Sequence, residues 1–61
     1  MKDNEVMFKS DCGNYRVVYS MWDLGDKYKL QKKENGVWRY AGAFSSSLAA
    51  LTAMKRAAKE L

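Results

Sequence analysis

The chain has 61 residues, of which eleven are basic and seven acidic, giving a formal net charge of +4, with one cysteine and neither histidine nor proline. That length accommodates one domain, 1–61, which hides only roughly 60% of its unfolded surface and needs a compact aromatic core, a partner or self-association to be stable. A lone cysteine excludes an internal disulfide, and the lack of histidine excludes a cysteine–histidine zinc site.

No apolar run approaches the ~20 residues that span a bilayer. Met1-Lys2-Asp3-Asn4-Glu5 is mixed in charge and lacks the apolar stretch of a signal peptide. The expectation is a cytoplasmic protein with no membrane role, and the scarcity of cysteine suits a reducing compartment. A reactive cysteine needs an electropositive setting. Cys12 has Asp11 beside it in the turn-like Ser10-Asp11-Cys12-Gly13-Asn14, so it is read as structural or incidental.

Residues 1–5 are polar and expected to be loose, and Val6-Met7-Phe8 can add a short edge strand. Tyr15-Arg16-Val17-Val18-Tyr19-Ser20-Met21-Trp22 is β-branched and aromatic, the composition of a half-buried strand. Asp23-Leu24-Gly25-Asp26 marks a turn. A second strand runs from about 27 to 33 and a third from 37 to about 44, around Glu34-Asn35-Gly36. Ser45-Ser46-Ser47 offers helix N-caps, because a serine oxygen accepts from the unpaired N–H groups of the first turn. The rest of the chain is rich in helix formers, with five alanines and three leucines. At 100° per residue Ala50, Leu51, Met54, Ala57, Ala58 and Leu61 form the apolar side. The predicted fold is α+β, a three-stranded antiparallel sheet with an optional fourth edge strand, packed on one C-terminal amphipathic helix.

The turn at Asn35-Gly36 permits two registers. A two-residue type I′ turn pairs Glu34 with Val37, whereas a three-residue loop pairs Lys33 with Val37. The one-residue difference moves a whole set of side chains across the sheet. The three-residue loop collects the large apolar groups on one side, and each aromatic can bury about 150–250 Å². On that ground it is the expected register. Val17, Tyr19, Met21, Tyr28, Leu30, Trp38, Tyr40 and Phe44 then face the helix, with Gly42 allowing close backbone approach. Arg16, Val18, Ser20, Trp22, Lys27, Lys29, Gln31, Lys33, Val37, Arg39 and Ala41 face away. Lys32 is the one misfit, its long stem lying along the edge.

The outward face therefore carries Arg16, Lys27, Lys29, Lys33 and Arg39 with no acid, plus Trp22. Lysine and arginine neutralise phosphates, arginine reads guanine edges, and an indole stacks on a base. These six residues are the candidate nucleic-acid-binding set. The competing reading is a solvated face, since antiparallel sheets commonly keep one side in water and strand lysines discourage aggregation.

Gly36-Val37-Trp38-Arg39-Tyr40-Ala41-Gly42-Ala43-Phe44-Ser45-Ser46-Ser47-Leu48-Ala49-Ala50-Leu51 resembles the end of plant ethylene-response-factor-type domains and of integrase N-terminal arm-binding domains. In those a tryptophan-bearing third strand leads through a Gly-x-Phe-Ser/Thr step into an alanine-rich helix. Trp38 and Gly42-Ala43-Phe44 match that scaffold, and Arg39 lies where a DNA-contacting strand residue would. The resemblance implies a three-stranded sheet on one helix, with the sheet face entering the DNA major groove. The first strand lacks those families' run of arginines. The Lys-rich hairpin, Gly-x-Trp, Phe-Ser-Ser and short helix also resemble small phage-encoded accessory proteins, including inhibitors of host defence nucleoproteins.

Catalysis has little basis. Histidine, the usual base near neutral pH, is missing, the glycines are too scattered for a phosphate loop, and no cofactor is implied. Two readings result. One is a non-enzymatic module whose basic face holds nucleic acid or a nucleoprotein. The other is a stoichiometric inhibitor that binds only protein, for example a host defence complex, through an apolar or edge-strand surface around Leu48 or the strand 15–22, with a homodimer as one form.

Overall fold

A computed structural model describes residues 4–21 and 24–60. Four strands run in chain order, β1 (Asn4–Lys9), β2 (Tyr15–Ser20), β3 (Tyr28–Glu34) and β4 (Val37–Phe44), followed by helix α1 (Ser47–Ala58). The strands form one antiparallel sheet in the order β1-β2-β3-β4. α1 packs against β2, β3 and β4. The α+β fold expected from the sequence is present, and the optional edge strand is real. It begins at Asn4, so residues 4 and 5 are in the sheet rather than loose. Residues 1–3 and Trp22 lie outside the described residues.

β3 and β4 meet at a two-residue turn. Glu34 pairs with Val37, and Asn35 and Gly36 take φ of 51° and 79°. Both positive angles are what a type I′ turn needs, and asparagine and glycine tolerate them best. The expected three-residue loop is therefore wrong at the turn. Yet Tyr28 still pairs with Phe44 and Leu30 with Gly42, which keeps Phe44 on the core side. The register shifts between Leu30 and Gln31, and Ala41 is the extra residue of a β-bulge. Turn preference acts at one end of the hairpin and apolar burial at the other. One bulged residue lets both prevail.

The consequence is that β4 changes face partway along. Trp38 opposite Lys33, and Tyr40 opposite Gln31, point away from the helix, while Gly42 and Phe44 point towards it. Tyr40 is 72% exposed. These two aromatics, expected in the core, belong to the outer face. Gly42 does serve close packing, since a Cβ there would lie 3.3 Å from Phe44 Cε1.

A second bulge lies in β1. Val6 pairs with Val18 and Phe8 with Val17, leaving Met7 as the extra residue. Phe8 is thereby turned towards the helix and Val6 away from it. Both edges of the sheet carry a bulge, a device that discourages further strand pairing. β1 also covers β2, so the strand 15–20 is not the exposed edge that the sequence allowed for.

The buried core is Val17, Leu30, Ala50 and Met54, with Phe8, Tyr15, Tyr28, Phe44, Leu51 and Ala53 packed around it. Tyr19 and Tyr28 meet as a tilted cross-strand pair, 5.2 Å between ring centroids. Met21 was expected at the helix but falls just past the end of β2 and is exposed. In α1, Ala50, Leu51 and Met54 take the expected side, Ala53 also packs against the core, and Ala57, expected on the apolar side, is exposed. Ser46 is the N-cap and its oxygen accepts from the Ala49 N–H (3.4 Å). At the other end Lys59 adopts a left-handed φ of 59°. Its N–H donates to the Arg56 carbonyl and the Glu60 N–H to the Lys55 carbonyl, the paired bonds of a Schellman ending.

Candidate functional site

Facing rows across the outer side of the sheet follow from the registers. One row is Lys9–Arg16–Gln31–Tyr40, a residue from each of the four strands. The row nearer the β3–β4 turn holds Lys33 and Trp38, and the row on the other side holds Val6, Val18, Lys29 and Ala43. Val18 is only 4% exposed, so this face has a small apolar floor of its own. No acid lies on it among the described strand residues.

Four side chains meet on this face. Arg16 Nε–H donates to Gln31 Oε1 at 2.7 Å, which aims the guanidinium across β3. The guanidinium carbon then lies 4.1 Å from the centroid of the Trp38 ring, and Lys33 Nζ is 5.9 Å from the same ring. Both distances suit a cation–π contact. A cleft opens beside this stack, lined by Lys9, Ser10, Gly13, Tyr15, Arg16 and Trp38.

Of the six sequence-predicted residues, Arg16 and Lys33 are brought together here. Lys29 is on the same face, half-buried, one row away, and Lys27 continues the β2–β3 pairing beyond the end of β3, its carbonyl accepting from the Ser20 N–H (2.8 Å). Arg39 is not part of the site. It pairs with Lys32 on the helix side of the sheet, and its Nε lies 3.2 Å from Glu34 Oε1, with Lys32 Nζ 3.7 Å from Oε2. These exposed pairs contribute little stability, and they tie Arg39 to Glu34 on the side away from the basic face. The same one-residue slip that removed Arg39 from the outer face brought Trp38 and Tyr40 onto it. Trp22, the sixth, lies outside the described residues. Lys9 was missed because the apolar signal of β1 stops at Phe8.

The cleft wall formed by the β1–β2 loop is held from the far end of the chain. Both Glu60 carboxylate oxygens accept backbone N–H bonds, Oε1 from Asp11 and Oε2 from Cys12, each at 3.1 Å. Within the loop Ser10 is buried and its hydroxyl accepts from the Tyr15 N–H (3.1 Å). Cys12 is a free, exposed thiol. The Asp11 N–H is the main cause that holds the Glu60 carboxyl below the ordinary glutamate range, helped by Cys12 and Lys55 and opposed by partial desolvation. A carboxylate with a depressed folded pKa stabilises above its unfolded value and loses that contribution as pH falls through the folded one. Stability is therefore expected to drop in the acid range, below the ordinary glutamate pKa. Replacing Glu60 with Gln should flatten that part of the unfolding-against-pH curve, and an unchanged acid limb would contradict the clamp.

A second surface lies on the other side of the molecule. Phe44, Ser46, Leu48, Ala49, Thr52, Ala53 and Arg56 line a groove between the end of β4 and α1, with Leu48 70% exposed at its rim. Among the described residues no helix is long and apolar enough to cross a membrane. No family model, curated protein or solved structure matches the chain.

Proposed function

We propose that this chain is a non-enzymatic binding module, of the phage accessory type, that holds nucleic acid or a nucleoprotein on the outer face of its sheet. The observation that carries this reading is the contact of Arg16 and Lys33 with Trp38, with exposed Tyr40 beside it, on a face where no described strand residue is acidic. Cations there neutralise phosphates, and rings offer surfaces on which bases stack. A merely solvated face has no need of an exposed tyrosine and an indole in contact with two cations.

Two charge reversals test it. Lys33→Glu and Arg39→Glu each remove two units of charge, but from opposite faces. In a polarisation assay at low salt, Lys33→Glu is expected to weaken nucleic-acid binding at least tenfold. Arg39→Glu should have the smaller effect of long-range field alone, which added salt screens. Equal losses in both variants would reduce the interaction to net charge and end the proposal.

Leu48 and its groove favour the second reading, a protein-only inhibitor that docks a partner or a second copy of this chain. On that reading Leu48→Asp breaks association, salt has little effect, and Lys33→Glu is silent.

A further inference from the structure

We propose that the outer face takes single-stranded rather than duplex nucleic acid, with a base stacked on Tyr40 and a phosphate in the cleft between Lys9 and Arg16. This deepens the nucleic-acid reading and rests on it. The first argument is the ring itself. Tyr40 is 72% exposed and makes no ring contact with another aromatic among the described residues. The face of a base is the surface that stacks on an aromatic ring, and in a duplex it is already covered by its neighbours. A bare ring on the outermost strand of a basic face therefore favours unpaired bases.

The second argument is width. Neighbouring strands lie about 4.8 Å apart, so the row Lys9–Arg16–Gln31–Tyr40 spans about 14 Å of backbone before its side chains are added. The duplex major groove is roughly 12 Å wide and admits a helix or a two-stranded ribbon. Lys9 and Tyr40 sit on the two outermost strands and cannot enter such a groove together. A flexible single strand crosses the same row without that constraint.

The third argument is the order of chemistries along the row. The cleft at one end has two cations, Lys9 and Arg16, in its lining, which suits a phosphate. Tyr40 lies two strands from Arg16, about 10 Å away in the sheet. A strand anchored by a phosphate in the cleft can thus lay a base over Tyr40, with the Arg16-capped Trp38 flanking it.

The test is fluorescence polarisation with dye-labelled oligothymidylate and oligouridylate of roughly a dozen nucleotides, and with matched DNA and RNA duplexes, at about 50 and 200 mM salt. The expected result is tighter binding of the single strands. Tyr40→Ala should weaken that binding roughly five- to hundredfold, the range of one lost base stack, and leave the salt slope unchanged. Lys9→Gln should reduce the slope by about 1. Circular dichroism checks that both variants remain folded. Duplex bound as tightly as single strand, or Tyr40→Ala without effect, overturns this inference and leaves the broader reading standing. No binding of any oligonucleotide at the lower salt overturns both.

Discussion

Met54→Ala is expected to destabilise the protein by about 2–5 kcal/mol, the range for truncating a buried methionine or leucine. Met54 is 2% exposed and packs within a small cluster whose buried members among the described residues are Val17, Leu30, Ala50 and itself. A domain of this length has a total stability of roughly 3–9 kcal/mol at ordinary values per residue, so the substitution threatens the fold as a whole. So small a core has few neighbours able to collapse into the space, and relaxation is what softens such losses elsewhere. The measurement is a urea titration followed by circular dichroism, with Met7→Ala as the comparison. Met7 is the extra residue of the β1 bulge and is 42% exposed, so its truncation should stay within about 0.5 kcal/mol. Similar midpoints for the two variants would mean that the helix is not seated on Val17 and Leu30.

Phe44→Ala and Tyr40→Ala should differ sharply although both residues occupy even positions of one strand. Phe44 packs against the core and over Gly42, and its loss is expected to cost about 3 kcal/mol, the lower end for a phenylalanine because the ring is partly exposed. Tyr40 is on the far face, and its loss should cost about 0.5 kcal/mol or less. An uninterrupted strand puts both rings on one side and predicts comparable losses. The comparison therefore tests the Ala41 bulge directly, by thermal or urea unfolding, and equal destabilisation would restore the continuous register. The functional readout runs the other way, because Tyr40→Ala is the variant expected to lose nucleic acid.

Much of this fold is legible in the residues. β-branched and aromatic runs mark the strands, Ser46 caps the helix, and Val17, Leu30, Tyr28, Phe44, Ala50 and Met54 take their expected sides. The basic outer face was legible as a concentration of lysine and arginine on alternating positions, and the registers place Arg16, Lys29 and Lys33 on that face. What alternation does not reveal is an extra residue. Trp38, Tyr40 and Arg39 were placed on the wrong faces because period two was carried through Ala41. The sequence did hold a signal of it. Asn35-Gly36 called for the two-residue turn while Phe44 and Gly42 called for the opposite parity, and a conflict of that kind within one strand is resolved by a bulge. Lys9 needed the register of β1 against β2. Glu60 needed a contact across 49 positions to Asp11, which no local pattern carries.

The residues alone set the element types, the place of the turn at Asn35-Gly36, the helix start and the pool of apolar groups from which the core is drawn. These depend on interactions within a few residues or on hydrophobicity alone. A contact from the far end of the chain settled which loop Glu60 holds, and pairing across the sheet settled which aromatics are buried and which cations join Trp38. Those outcomes depend on pairing between distant strands, where a shift of one residue exchanges the two faces of the sheet.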